Sequence, residues 1–261
     1  MTPTNTFSGF THKGNVLKVK DEPFHWHIAG TDFDLVTDIL DQLTGKVGMY
    51  QHSCTYDATR IDEYFPRAFL PTKVKDDWYL RDADGNKIAW SESKPDYYFL
   101  DLRIPECQKA IIDRGIQRAK YLGLKWMCWD NCYYQIKPKQ IPIDVDTWTQ
   151  TSYAFAFTAS MEAKKHKMKT VCNVACPVQL IPEMLNGASK KHTIGMICNG
   201  ILSENPFDPR GDERAELVAW KTFAARGCLG LLMPPKDRYD HVMELIKGTQ
   251  NLYVCVKRTD G

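Results

Sequence analysis

At 261 residues and 43% hydrophobic, the chain can bury one large core, a length that suits either a single barrel or two small domains. A formal net charge of +2, with no basic cluster longer than MEAKKHKMK (161–169), offers no phosphate-binding surface and argues against nucleic acid as a partner. No apolar run approaches the roughly 18 residues of a membrane span, and the polar start MTPTNTFSGFTHKGN lacks the apolar centre of a signal peptide, which argues against a membrane partner.

Nine cysteines, an odd number, are scattered through core-like segments, which predicts reduced thiols and, for the chain as given, a cytoplasmic location. Removal of a leader would instead suit a secreted or particle-associated protein. Nothing in the composition indicates an oligomeric state, and no cofactor motif is present; a glycine fingerprint of the G-x-G-x-x-G kind is missing.

In chain order, short apolar runs occur at FHWHIA (24–29), KVGMYQ (46–51), YYFLDL (97–102), LKWMCWD (124–130), TVCNVA (170–175), TIGMICNGILSE (193–204), CLGLLMPP (228–235) and LYVCVK (252–257). Helical patterns closed by glycine precede several of them, as in IIDRGIQRAKYLG before LKWMCWD and ERAELVAWKTFAARG before CLGLLMPP. Eight strands alternating with helices predict parallel pairing and an α/β fold, a single (β/α)8 barrel spanning 1–261, with 1–22 as an N-terminal extension. RDADGNKIAW (81–90), with Asp84-Gly85 between strand-like flanks, predicts a small hairpin inserted before the third strand.

A barrel of this kind carries its chemistry at the carboxyl ends of its strands. Alternation along the fourth run places Trp126, Cys128 and Asp130 on the inward face, and along the sixth Met196, Cys198, Gly200, Leu202 and Glu204. Asp130 and Glu204 are therefore the candidate catalytic pair, one as acid, the other as base or nucleophile, which is the minimum equipment of a glycosidase. Either one alone has a bland reading, as a helix cap or the partner of an arginine; their matching rim positions favour chemistry. Tyr50 and His52, Asp101 and Arg103, and Asn173 close their runs and are candidates for hydroxyl recognition, although Asp101 with Arg103 also reads as a structural ion pair. Asn199 is a further candidate, although it lies inside its run and on the face opposite Glu204. Tyr133, Tyr134 and Phe207 adjoin the carboxylates as flat faces for sugar rings; Trp129 has the wrong parity and belongs under the helices.

KVGMYQHSC, YYFLDLRIPECQKAIIDRGIQRAKYLGLKWMCWDN, MEAKKHKMKTVCNVA and IGMICNGILSE, in this order, resemble the endo-α-1,4-polygalactosaminidase-like glycoside hydrolases and related barrel glycosidases. The resemblance covers roughly residues 24 to 205, and the order of the short motifs carries it. It implies hydrolysis of an α-linked or amino-sugar polysaccharide, with Asp130 and Glu204 carrying the reaction and Tyr50, Asp101, Asn131 and Asn173 lining the sugar site. One departure is Gly123-Leu124, where the family has an acidic residue followed by a small one.

Three other readings compete. A barrel that binds carbohydrate without cleaving it uses the same rim. His25-Trp26-His27 suits a metal-dependent amidohydrolase-type barrel, but that class needs further histidines at later strand ends, where Asn173 and Glu204 stand; His192 precedes its strand and His166 lies in a lysine-rich helix. Cys128, Cys132, Cys172 and Cys176 have zinc-like spacing, but Cys172 is out of phase with Asn173 and faces the helices, so the four sulfurs do not converge.

Overall fold

The computed structural model describes residues 6–11, 26–29, 46–57, 74–132, 137–174 and 194–255. It is an α/β structure. Eight strands run parallel: β1 (Thr6–Thr11), β2 (Trp26–Ala29), β3 (Lys46–His52), β7 (Trp126–Asp130), β8 (Lys169–Asn173), β9 (Gly200–Ser203), β10 (Leu229–Leu232) and β11 (Leu252–Cys255). β3 and β7 to β11 form a curled sheet in chain order, and β1 pairs with β11 on one side and with β2 on the other. Between β3 and β7 the chain makes a separate antiparallel sheet, β4 (Thr55–Asp57), β6 (Lys94–Phe99) and β5 (Ala89–Ser91), with β6 central. Helices α1 (Pro105–Tyr121), α2 (Val145–Lys165), α3 (Glu213–Ala225) and α4 (Tyr239–Leu245) precede β7, β8, β10 and β11. None of the described helices is long and apolar enough to cross a membrane.

Two of the sequence assignments are corrected here, and their errors cancel in the strand count. The first parallel strand is TFSGFT, inside the stretch read as an N-terminal extension; its mixed polar sequence gives no apolar run to detect. YYFLDL is no barrel strand. Its residues 97–99 belong to β6, Leu100 bridges Tyr79, and Phe99 and Leu100 are buried at 1% and 2% exposure. A continuous apolar run reports burial without saying which sheet is buried. The hairpin at Asp84-Gly85 is present as read: Gly85 has φ +84°, and Asp82 Oδ1 accepts from the backbone N–H of Asp84 (3.0 Å) and Asn86 (2.8 Å). It joins the same antiparallel insert as β6. The sixth strand is also shorter than read. Ile194–Met196 forms a 3-10 turn with Met196 56% exposed, and Asn199 accepts from the Thr170 N–H at the amino end of the strands, away from the candidate rim.

Alternation sorts the strand side chains into two layers. Cys128, Val171, Leu202, Leu229 and Leu231 pack with Tyr50 and Trp126 on the concave face of the curled sheet. Met127, Trp129, Cys172, Ile201, Leu232 and Val254 pack outward against the helices, where Trp129 meets Phe155 edge to face at 5.4 Å. Helix ends follow the expected chemistry. Asp144 accepts from the Thr147 N–H at the start of α2, and Gly123, at φ +67°, turns the chain out of α1 into β7.

On the same concave face, space for a methyl group is missing at Gly200. A Cβ there would stand 2.8 Å from both the Cβ and the backbone oxygen of Leu229 and 3.1 Å from Val171 Cγ2. Gly200→Ala should therefore cost about 1–3 kcal/mol of stability, read from denaturant midpoints; an unchanged midpoint would contradict this packing.

Candidate active site

The site is built where β3, β7, β8 and β9 end. Register pairs His52 with Asp130 and Tyr50 with Cys128, so Tyr50, His52 and Asp130 share the inward face of adjacent strands. Asn173 is the last residue of β8, paired with Leu202, and Glu204 directly follows β9. The opening of the site is thus assembled from strand ends that the hydrogen-bond ladder holds in register.

Asn173 joins the two candidate carboxylates. Its Nδ2 donates to Asp130 Oδ1 at 2.6 Å and to Glu204 Oε1 at 2.6 Å. These two oxygens can therefore be no farther apart than twice 2.6 Å, or 5.2 Å. The Tyr50 hydroxyl donates to the other oxygen of Asp130, and His52 Nδ1 lies 3.5 Å from it. Asp130 is 7% exposed. Burial pushes its carboxyl up, but the His52 ring, the Tyr50 hydroxyl and the Asn173 amide together outweigh burial and hold it below the usual range. Glu204 goes the other way: burial raises it, the negative charge of Asp130 adds to that, and the single bond from Asn173 does not reverse it. Tyr50 is itself raised, by burial and then by Asp130, so its proton stays on the hydroxyl.

Around His52 a second set of bonds sets the ring. Asn131 Nδ2 approaches His52 Nδ1 at 3.0 Å and donates to Thr55 Oγ1 at 3.3 Å. Thr55 donates to the Tyr97 hydroxyl at 2.9 Å, and that hydroxyl lies 2.9 Å from His52 Nε2. Asn131 reaches inward because its backbone is left-handed, φ +58°, a conformation Asn tolerates better than other non-glycine residues. Its carbonyl accepts from Ser53 Oγ at 3.0 Å.

The segment after Glu204 is strained and clamped. Asn205 and Phe207 have φ of +134° and +57°. Phe207, bulky and fully buried, is held by Glu216 Oε1, which accepts its N–H at 2.9 Å, and by Arg238, which donates to its carbonyl at 2.9 Å. Phe207 is therefore packed away and is no platform for a sugar ring, contrary to the sequence reading.

Of the residues singled out from sequence, Tyr50, His52, Asp130, Asn131, Asn173 and Glu204 come together. Asp101 and Arg103 do not join them. The Asp101 carboxylate is taken by Arg103 two residues on, through Nε at 2.9 Å and the terminal nitrogen at 2.7 Å, the structural pairing that their spacing allowed. Tyr133, Tyr134, His25 and His192 lie outside the described residues, as does the His27 side chain. Sequence reasoning missed Tyr97 and Thr55, which arrive from the insert, and Glu216. An acidic residue on the stripe that also carries Ala219, Trp220 and Phe223 was the available signal for the last of these. Among the described residues no cluster of His, Cys, Asp or Glu could hold a metal ion.

No family model matches the sequence, and no curated protein matches it. Solved structures do match in fold. The glycoside hydrolase domain of PelA from Pseudomonas aeruginosa superposes with a TM-score of 0.54 at 12% identity, over 95% of this chain and 92% of that one. A noncanonic maltogenic α-amylase, AmyB from Thermotoga neapolitana, gives 0.54 at 9% identity over 97% and 67%. A Paenibacillus cycloisomaltooligosaccharide glucanotransferase gives 0.52 at 9% over 88% and 38%. The neighbours are carbohydrate-active enzymes, glycoside hydrolases prominent among them, and at these identities the likeness is one of fold.

Glu216 supplies a stability test of the clamp behind Glu204. Its side chain is fully buried, Oε2 has no hydrogen-bond partner among the described residues, and burial pushes the carboxyl up to about 7. A raised carboxyl keeps its proton in the folded state after the unfolded chain has lost it, so stability falls as pH rises from about 4.5 to about 7 and then levels. Glu216 should account for about 3 kcal/mol of the decline, so Glu216→Gln should show a correspondingly shallower fall in denaturant melts across that window. Parallel pH profiles for the two proteins would contradict the clamp.

Proposed function

We propose that the protein is a glycoside hydrolase that cleaves a polysaccharide, amino-sugar polymers among them, with retention of anomeric configuration. The fold is read as a complete (β/α)8 barrel forming a single catalytic domain. The observation that carries the proposal is the Asn173 amide shared between Asp130 and Glu204, because it puts an ionised and a protonated carboxyl within one sugar's reach of each other.

In this reading Glu204 protonates the glycosidic oxygen, since its surroundings favour the neutral acid. Asp130, ionised and oriented by Tyr50, His52 and Asn173, attacks the anomeric carbon. Water then hydrolyses the glycosyl-enzyme, with Glu204 taking back the proton. A limit of 5.2 Å between the two bridged oxygens fits the roughly 5–5.5 Å separation of retaining enzymes and falls short of the about 6.5–9.5 Å at which an inverting enzyme interposes a water. Tyr50, His52 and Asn131 have the second task of meeting sugar hydroxyls at the rim. Asp101 and Arg103 have no part in it.

The experiment is release of new reducing ends from a panel of amino-sugar, neutral and uronic polysaccharides. Asp130→Asn and Glu204→Gln should each lower the rate by roughly 100-fold or more with the fold intact by thermal melt. Anomeric proton NMR of the first product should show the substrate's configuration. Undiminished cleavage in both variants, or no cleavage of any polymer by the parent protein, would refute the assignment, and an inverted first product would refute the mechanism.

The pH profile is a separate check. Activity should fall at low pH as Asp130 takes up a proton and at high pH as Glu204 loses its own, with the alkaline limb displaced upward from an ordinary glutamate. An alkaline limb that survives Glu204→Gln unchanged would assign it to another group.

A further inference from the structure

A cavity of about 480 Å³ lies in the insert, outside the carboxylate cluster, lined by Asp82, Lys87, Trp90, Ser91, Glu92 and Gln140 among others. It lies at a seam. Gln140, from the connection that follows β7, donates from Nε2 to the Trp90 carbonyl at 3.0 Å, tying that connection to the insert that follows β3. Both connections leave the carboxyl ends of their strands, so the cavity opens beside the same rim as Asp130.

Ring contacts link the two places. Trp90 packs edge-on against Tyr97 at 5.7 Å between centroids, Tyr97 against His52 at 5.5 Å, and His52 stands 3.5 Å from Asp130. The Trp90 ring is backed by Phe99, stacked at 5.3 Å and 27°, which fixes its orientation while it remains part of the cavity wall.

The charges of the wall are unequal. Lys87 is already engaged, 2.9 Å from Asp76 and 3.9 Å above the Tyr79 ring. Asp82, whose carboxylate accepts from Asp84 and Asn86 in its turn, and Glu92, on the exposed lip, outnumber Lys87 among the charged residues of the wall and leave a surplus of negative charge. A rigid indole face with carboxylates and an amide around it matches a sugar ring, whose apolar face stacks while its hydroxyls are bound at the edge. The surplus rejects an anionic ring.

We propose that this cavity is a distal subsite for the same glycan chain, holding a neutral or amine-bearing sugar ring a few units from the bond to be cut, and that it excludes uronates. The proposal rests on the glycosidase reading above, and it makes the enzyme one that grips a chain along its length.

The test is calorimetric titration of the full chain carrying Glu204→Gln with three probes: a chitosan oligosaccharide, a malto-oligosaccharide and an oligogalacturonate. The chitosan or the malto-oligosaccharide should bind and the oligogalacturonate should not. Adding Trp90→Ala should weaken binding at least about tenfold. Because Trp90 also supports the insert, Glu92→Lys provides the second variant; it alters only an exposed lip and should weaken the chitosan probe and admit the oligogalacturonate. Binding of the chitosan or malto-oligosaccharide that neither change weakens, or equal binding of all three probes, or binding of none, would overturn the proposal. A parent protein that cleaves nothing while probe binding still responds to Trp90→Ala and Glu92→Lys would place the failure in the glycosidase reading instead.

Discussion

One side-chain amide organises the centre of this molecule. Asn173 donates both hydrogens of Nδ2 to carboxylates that would otherwise repel each other, and the arrangement is stable only if one of them is neutral. The surroundings decide which. Asp130 has three polar neighbours that favour its charge, whereas among the described residues Glu204 has Asn173 alone and sits under the field of Asp130. A bond to a charged acceptor is worth about 1.5–3 kcal/mol, so the difference in partners is large enough to separate the two acids into a proton donor and an anion.

The remainder of the fold can be understood as what keeps that amide in place. Parallel pairing brings the ends of β7, β8 and β9 side by side, and the inward parity of Asp130 and Asn173 follows from alternation once Trp129 and Cys172 are committed to the helix side. Glu204 lies one residue beyond its strand, so its position depends on the segment that follows. That segment contains two residues in conformations that L side chains rarely adopt, and a buried glutamate and an arginine hold it from below. The insert contributes from the other side, where Tyr97 and Thr55 fix the ring of His52.

Much of this was legible in residue order, and the failures have physical causes. WMCWD reads as a strand whose alternation delivers Asp130 to the rim, and it does so. Asn173 follows from the same logic, whereas Asn131 is out of phase with Asp130 and comes inward through its left-handed backbone. Strand counting reached eight through two compensating errors: Thr6–Thr11 has too little apolar patterning to be seen, and Tyr97–Leu102 has too much, because the insert has its own buried face. Periodicity describes a local environment, and an inserted sheet satisfies it as well as a barrel strand does. The same blindness hid Tyr97 from the site, since its part in it comes from a contact with His52 45 positions away. Glu216 was visible in principle as a charge on an apolar helix stripe, but its partner, a backbone N–H in a left-handed turn, was not.

The central claim is that two carboxyl groups joined by one amide hold different charges. Carbon-13 NMR titration of the intact protein, with carboxyl signals assigned through Asp130→Asn and Glu204→Gln, measures this directly. The account predicts an Asp130 signal that is ionised below the ordinary range and a Glu204 signal that keeps its proton above it. Two carboxyls that titrate together at ordinary values would contradict the account.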